Sequence, residues 1–192
     1  ALQKYSGLPK NKVIGMAGGL DSSRFIYFLS EKLKISVNNI KSFVLGGHGD
    51  TMVAMLNHTK VNGEEIKNLI KSGQLSQDEL DKIIDRTKKG GAEIVKYLEK
   101  GSAFYAPATA GVQMAESYLL DQKKELPCAA YLNGEYGVKN IYAGVPVIIG
   151  KNGVEKIVEI KLSSDEKSQF NKSIKAVRDL FEAAKKIDTL LG

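Results

Sequence analysis

The spacing of hydrophobic residues predicts alternating buried strands and helices in the first part of the chain. Residues 12–18 form a short apolar run bounded by glycine, which is typical of a buried strand. A helix is predicted next, with Asp21 or a neighbour as its N-cap, and it runs to about Leu33. Residues 40–45 are β-branched and apolar enough for another buried strand, which ends in the glycine-rich turn 46–50. The pattern therefore places the histidine of this turn directly after a strand.

Longer helices and a group of three strands account for most of the remaining pattern. Ser76 followed by acidic residues is typical of a helix N-terminus, and this helix runs to about Glu99. Near the C-terminus, apolar residues recur every three or four positions between charged ones, which predicts an amphipathic helix over 165–191. The other predicted segments are a mixed strand at 51–61, a short helix at 64–72, a helix at 107–120, and strands of an antiparallel meander at 128–132, 145–149 and 154–162.

These elements predict an α+β fold in which long helices pack on a mixed or antiparallel sheet. Because the chain shows no internal repeat, low-complexity linker or change in composition, we expect residues 1–192 to form a single domain. Residues 1–9 combine apolar positions with a closing glycine and proline, as at the end of a helix. We therefore expect the chain to begin within an element and to be part of a longer protein.

The net charge of +6 and the pI of about 9.2 could indicate nucleic-acid binding. The basic residues are scattered, however, and pairs such as Lys88-Lys89 and Lys185-Lys186 alternate with acids at helical spacing. That arrangement is typical of a solvated helix face, so we expect no nucleic-acid partner. Only three of the 28 basic residues are arginines, at positions 24, 86 and 178, so each arginine needs its own explanation.

Two further features bear on where the chain resides. No apolar run approaches the roughly 18 residues that a membrane span needs, and no basic stretch followed by an apolar segment opens the chain. The only cysteine, Cys128, has no partner for an internal disulfide or a CxxC site. We therefore expect a soluble protein of the cytoplasm with no membrane partner and no metal.

Three side chains suited to chemistry on a small carboxylic acid lie close together in the sequence. Asp21 and Arg24 are three residues apart near a helix start, so they share one face and can line one pocket. The planar guanidinium of arginine binds a carboxylate through two parallel hydrogen bonds. A carboxylate bonded to a histidine fixes its tautomer and favours its protonated form, which suits proton transfer near neutral pH. Asp21 and His48 could form such a pair.

Structural explanations compete with this hypothesis. An aspartate at a helix start is usually a cap, a histidine near glycines is usually a turn residue, and an exposed arginine is usually solvated. We interpret His58 as a surface residue and Asp50 as a residue that tightens the turn. The chain has no GxxxxGK[ST] run, and no GxGxxG run follows a strand, so nothing in it predicts a phosphate site.

Two sequence runs resemble signatures of the lactate/malate dehydrogenase family. They are GMAGGLDSSRF at 15–25 and GGHGDTMV at 46–53. The resemblance continues over nearly the whole chain, through GSAFYAP at 101–107, MAES at 114–117, CAAY at 128–131 and GVP at 144–146. It implies the fold of the C-terminal, substrate-binding half of such an enzyme.

The resemblance also implies roles for the three candidate residues. It assigns Arg24 to the substrate carboxylate, His48 to proton transfer, and Asp21 to orientation of the histidine. The implied reaction interconverts (S)-malate and oxaloacetate with NAD as hydride acceptor and donor. The residues Gly47 and Thr51 around the HGD turn are similar to the malate branch, while a lactate dehydrogenase is the alternative within the family.

The resemblance further implies that most of the cofactor site lies elsewhere. In the family, the glycine-rich turn that binds NAD, a second arginine and the residue that reads the far end of the substrate belong to an N-terminal half. We therefore expect the isolated chain to be inactive and to require that half as its partner, within a homo-oligomeric dimer or tetramer. A noncatalytic oligomerisation fragment is the alternative from another functional class.

Three positions depart from the family pattern. Gly19 stands where a bulkier apolar residue is common, Ala54 replaces a usual proline, and Asn57-His58 replaces a pair similar to Arg-Tyr. These differences leave Asp21, Arg24 and His48 in place and affect the expected geometry of the nearby loops.

Overall fold

The computed structural model describes residues 1–191, in which helices pack on antiparallel sheets. The helices are α1 Leu2–Ser6, α2 Gly18–Leu33, α3 Ile66–Lys71, α4 Gln77–Leu98, α5 Tyr105–Leu119 and α6 Ser164–Ile187. The strands are β1 Ile40–Lys41, β2 Val44–Gly46, β3 Met52–Ala54, β4 Lys60–Val61, β5 Glu64–Glu65, β6 Lys124–Asn133, β7 Lys139–Gly150 and β8 Gly153–Ile157. This architecture confirms the predicted α+β class, with antiparallel pairing.

The larger sheet carries the main core. Its strand order is β3-β2-β7-β6, and β8 pairs with β7, so the predicted meander of three antiparallel strands is confirmed. Along β6 the buried residues Cys128, Ala130 and Leu132 alternate with more exposed ones, as expected when one face of a strand packs inward. They join a hydrophobic cluster that includes Val145 of β7 and Phe170 of α6.

A second hydrophobic cluster surrounds a small sheet with strand order β1-β4-β5. Phe25 and Leu29 of α2, each 0% exposed, pack there with Leu80 of α4. Helix α2 thus contributes to this cluster from one side while its N-terminal end lies near β6 and β2, where Ser22 Oγ accepts the Val44 N–H at 3.1 Å. The start of α2 is therefore fixed between the two sheets.

Both long amphipathic helices begin where the sequence contains capping signals. Ser76 and Glu79 form the reciprocal hydrogen bonds of a capping box at α4, which confirms the predicted N-terminus. Ser163 and Glu166 form the same motif at α6. Because each cap satisfies amides that the helix leaves unpaired, the two helices start at defined positions. Within residues 1–191, no helix combines the length and the apolar character needed to cross a membrane.

The predicted strand at 12–18 is wrong. This segment forms one isolated antiparallel bridge, in which Gly15 and Ala129 exchange hydrogen bonds at 2.9 and 2.8 Å. Pro127 occupies the next position on the same edge of β6, and proline has no N–H to extend the ladder. The chain instead enters α2 at Gly18, where an added Cβ would lie 2.9 Å from the Pro127 carbonyl oxygen.

Several predicted boundaries also change. The predicted strand at 40–45 divides into β1 and β2, which belong to different sheets, and the segment 51–61 contains β3, a 3₁₀ turn and β4. Residues 64–72 contain the short strand β5 before α3. Asp21 does not cap α2, because it lies in the first turn and Ala17 is the N-cap. The carboxylate of Asp21 is thereby left free to contact other groups.

Candidate active site

Asp21 is a buried carboxylate in the first turn of α2, with 1% of its surface exposed. A helix N-terminus favours negative charge, because its backbone amides carry partial positive charge. One oxygen, Oδ2, lies 2.8 Å from His48 Nδ1 and accepts the Gly49 N–H at 3.3 Å. The other oxygen, Oδ1, lies 3.4 Å from an Arg24 Nη1. Asp21 therefore joins the other two candidate residues predicted from sequence.

His48 lies between β2 and the 3₁₀ turn Gly49–Thr51, in an extended backbone conformation. Its side chain is 53% exposed, while its Nδ1 edge faces the buried carboxylate. Because the two nitrogens lie on different edges of an imidazole ring, Nε2 is directed away from Asp21. The hydrogen bond that His48 donates to Asp21 raises the pKa of His48, although partial burial and the positive charge of Arg24 act in the opposite direction. The histidine is thus oriented and its protonated form is favoured.

Arg24 follows Asp21 by one helical turn, and its side chain is only 10% exposed. It packs across α4 at two consecutive glycines. A Cβ on Gly90 would lie 3.0 Å from Arg24 Cδ and 3.3 Å from Nε, and one on Gly91 would lie 3.9 Å from an Arg24 Nη. The long contact with Asp21 leaves other N–H groups of the guanidinium for a ligand. Arg24 is therefore confined by α2 and α4 beside His48.

The backbone before His48 is held by a different helix, α6. Gly46 has a φ of +88°, a left-handed conformation that favours glycine. The Gly47 N–H donates to Ser173 Oγ on α6 at 2.8 Å, and Ser173 is 2% exposed. Asp21 and Ser173 thus reach His48 and its neighbour from two different helices.

The remaining candidates lie outside this cluster. His58, interpreted from sequence as a surface residue, is partly buried: its Nε2 lies 3.0 Å from the Lys161 carbonyl oxygen, and its ring packs against Phe43. Asp50 is exposed in the 3₁₀ turn. Cys128 is 1% exposed, and burial raises the pKa of its thiol to about 12. Residues 1–191 contain no group of three or more histidine, cysteine or acidic residues placed to hold a metal ion.

The sequence of this chain matches a known family model over residues 19–187. That model describes the lactate/malate dehydrogenase α/β C-terminal domain. The chain belongs to the lactate/malate dehydrogenase family. The resemblance noted in the sequence is thereby confirmed, and so is the C-terminal fold expected from it.

Relatives within this family have high sequence identity. The chain is 64% identical over 188 residues to a malate dehydrogenase of Pelagibacter ubique, covering 98% of this chain and 59% of that protein. It is 57% identical over 191 residues to a malate dehydrogenase of Caulobacter vibrioides, covering 100% of this chain and 60% of that protein. The chain therefore spans less than two thirds of the length of these curated relatives.

Solved structures of the family have the same fold. A malate dehydrogenase from Cryptosporidium parvum has a TM-score of 0.93 and 43% identity, with 96% of this chain and 59% of that chain covered. A lactate dehydrogenase from the same organism, crystallised with lactic acid and β-nicotinamide adenine dinucleotide, has a TM-score of 0.89 and 45% identity, with 92% and 56% covered. The chain is thus structurally similar to enzymes of both branches.

Sequence reasoning missed three residues that shape this site. Gly90 and Gly91 are adjacent inside α4. Because glycine destabilises a helix, two glycines there could have indicated a close packing contact. Ser173 lies one position before Ile174 on the buried face of α6, so a polar residue in an apolar stripe was the available signal. Each signal marks a contact that only the folded chain reveals.

Proposed function

We propose that this chain is the substrate-binding and catalytic half of an NAD-dependent malate dehydrogenase. The observation that carries the proposal is the buried Asp21 carboxylate, which contacts both His48 Nδ1 and the Arg24 guanidinium. When His48 carries the proton that oxaloacetate reduction needs, one negative and two positive groups leave a net positive charge in this cluster. That charge suits an anionic substrate such as oxaloacetate or malate.

Each residue has a distinct role in this proposal. Arg24 binds the carboxylate next to the reacting carbon, and its confinement between two helices fixes the orientation of that carboxylate. His48 Nε2 accepts the proton of the malate hydroxyl as the C–O bond becomes a carbonyl, and returns it in the reverse direction. Asp21 is the positioning residue, because it holds the ring in one tautomer and stabilises its protonated form.

NAD fits this site only as a cofactor that is bound mainly by another part of the protein. When bound, NAD takes up the hydride that leaves the malate carbon and supplies it again in the reverse reaction. The sequence of this chain contains no glycine-rich phosphate turn that follows a strand, whereas His48 offers a half-exposed ring to a substrate. We propose that an N-terminal half completes the site and binds most of the cofactor.

We also propose that the chain associates with that half and forms homo-oligomers in the cytoplasm. Support comes from apolar residues that are exposed at the C-terminal end of α5: Leu119 is 74% exposed, and Leu120, directly after the helix, is 67% exposed. Exposed apolar surface of this kind usually contacts another domain or subunit. The activity test below therefore includes a nucleotide-binding half.

The test is NADH oxidation with oxaloacetate and with pyruvate. It compares the chain alone with a fusion in which the part of the Pelagibacter ubique relative outside the match precedes this chain. We expect activity in the fusion only, a preference for oxaloacetate, and its loss in His48→Gln. The matched control is His58→Gln, which changes a histidine that is hydrogen-bonded to the Lys161 carbonyl. We expect this variant of the fusion to remain active.

The alternative functions predict different results in the same assay. A preference for pyruvate would indicate a lactate dehydrogenase. A folded, associated fusion that oxidises NADH with neither substrate would contradict the enzymatic proposal and favour a noncatalytic oligomerisation role. Equal activity in wild type and His48→Gln would remove His48 from the mechanism.

A further inference from the structure

A buried side chain on α6 binds the backbone directly before His48. Ser173 Oγ accepts the Gly47 N–H at 2.8 Å, across 126 residues of sequence. Ser173 is 2% exposed and lies beside Ile174 on the helix face that packs into the core. A polar side chain at this depth needs a partner, and the turn amide supplies one. The contact therefore links the C-terminal helix to the turn that carries His48.

The fit between α6 and this turn is close as well as polar. An added Cβ on Gly46 would lie 2.9 Å from Ser173 Cβ, and one on Gly47 would lie 3.1 Å from Val177 Cγ2. These separations are shorter than ordinary van der Waals contact, so only glycine fits at either position without displacement. The two glycines thus let the backbone rest against α6 where Ser173 can reach the Gly47 amide.

We propose that Ser173 is a positioning residue that fixes the backbone of the His48 turn against α6. Asp21 holds the same histidine from α2 through its ring, so His48 is restrained both at its side chain and at the backbone of the residue before it. A histidine on a loop has more freedom than one within a helix or strand. Two restraints from separate helices limit that freedom and define where Nε2 meets the substrate.

The size and chemistry of serine both matter here. Alanine would leave the Gly47 N–H without its acceptor in a partly buried place, and such a loss is costly. The turn would then move toward water, and the distance between His48 and Asp21 would vary more. Small displacements of a proton-transfer group reduce rate strongly, while they affect substrate binding less. Loss of the hydroxyl should therefore lower kcat more than it raises KM.

This inference rests on the proposed function only for its kinetic readout. In the fusion described above, we expect Ser173→Ala to lower kcat about tenfold, with KM changed less than about threefold. The second readout is the titration of His48 by NMR with labelled histidine, assigned from the signal that disappears in His48→Gln. Because the Asp21 hydrogen bond raises the pKa of His48, a looser turn should lower that pKa.

Ser117→Ala is the matched control. Ser117 is 0% exposed, and its hydroxyl also bonds backbone groups, accepting the Lys124 N–H at 3.1 Å and donating to the Ile149 carbonyl at 2.7 Å. These contacts join α5 to the larger sheet rather than to the His48 turn. We expect Ser117→Ala to lower thermal stability while kcat and the His48 titration stay at wild-type values.

The outcomes separate a positioning role from simple destabilisation. If Ser173→Ala folds and leaves both kcat and the His48 pKa unchanged, the proposal is overturned. It is equally overturned if Ser117→Ala changes both quantities to the same extent. Should Ser173→Ala fail to fold, Ser173→Cys keeps a side chain with a weaker acceptor and is measured in the same way. An inactive wild-type fusion would contradict the proposed function, while the NMR titration would still decide the role of Ser173.

Discussion

Asp21 is the residue on which the proposed chemistry depends. Its two oxygens contact different cationic groups, His48 through Oδ2 and Arg24 through Oδ1. A buried carboxylate is costly unless such partners compensate for lost hydration. The same contacts orient the histidine and leave the guanidinium able to bind a ligand. One side chain thus supports both proton transfer and substrate binding.

Replacement of this carboxylate tests its effect on His48. We expect Asp21→Asn to lower the pKa of His48, because the hydrogen bond to the Asp21 carboxylate is the largest cause that raises this pKa. Reduction of oxaloacetate requires protonated His48, so its rate should fall at a lower pH than in wild type. We expect kcat near neutral pH to fall by about 100-fold or more. The measurement is the pH profile of the fusion, with the exposed Asp85→Asn as control.

The pH dependence of stability gives an independent prediction. The pKa of His48 is raised in the folded state, so folding favours the bound proton. The resulting stabilisation is fully present below the pKa of the unfolded state and is lost as pH rises through the folded pKa. Chemical unfolding of wild type and His48→Gln should therefore give a difference that shrinks as pH rises through this range. A difference that stays constant over this pH range would contradict the prediction.

Arg24 tests the recognition of the carboxylate. Lysine keeps the positive charge but loses the planar pair of donors, so Arg24→Lys should raise KM for oxaloacetate by about 10- to 100-fold. The fusion is assayed at several oxaloacetate concentrations. Arg86→Lys is the control, because Arg86 is half exposed and pairs with Glu93 on the same helix. A similar rise in KM in both variants would argue against a specific role for Arg24.

At the scale of elements, Gly90 of α4 shapes the substrate side of the site. Glycine inside a helix normally costs about 1 kcal/mol relative to alanine. Gly90 is nevertheless buried against the Arg24 side chain, where a Cβ would lie 3.0 Å from Cδ. Gly90 therefore lowers helix stability but leaves room for the Arg24 side chain.

Gly90→Ala should separate stability from binding. We expect thermal stability to stay the same or rise, because alanine favours the helix. KM for oxaloacetate should rise about tenfold, equivalent to about 1.4 kcal/mol, because the guanidinium is displaced. Gly91→Ala is the matched control, since its Cβ would meet Arg24 only at an ordinary contact distance of 3.9 Å. Equal KM values in the two variants would refute this explanation.

Local signals predicted some elements better than others. Helices α4 and α6 were predicted near their observed bounds, because amphipathic spacing and, at α4, the Ser76 cap are encoded within the helix itself. The segment 12–18 was predicted as a strand, but its pairing depends on Pro127, more than 100 residues later. A strand forms only beside another strand whose backbone groups are free to pair with it. The sequence of the segment itself does not show whether the neighbouring edge has a proline, which lacks the N–H donor.

At the scale of the whole molecule, the exposed apolar residues of α5 predict association. Leu119 is 74% exposed and lies near the exposed Leu120 and Tyr118. We expect the chain alone to self-associate at high concentration, as measured by sedimentation, and Leu119→Lys to reduce that association. Leu180→Lys on α6, at a leucine that is 73% exposed, tests whether the association depends on α5. An equal reduction in both variants would contradict a specific role for α5. A monomeric wild-type chain at high concentration would contradict this prediction.

The sequence by itself determined the fold class and the identity of the three candidate residues. Amphipathic spacing, capping residues and the two signature runs are local patterns, and local patterns are readable without knowing which segments meet. The tertiary structure alone decided that Asp21 lies 2.8 Å from His48, and that Ser173 and Gly90 belong to the same neighbourhood. Those contacts arise when α2, α4 and α6 converge, because packing brings together residues whose separation along the chain carries no signal of their proximity.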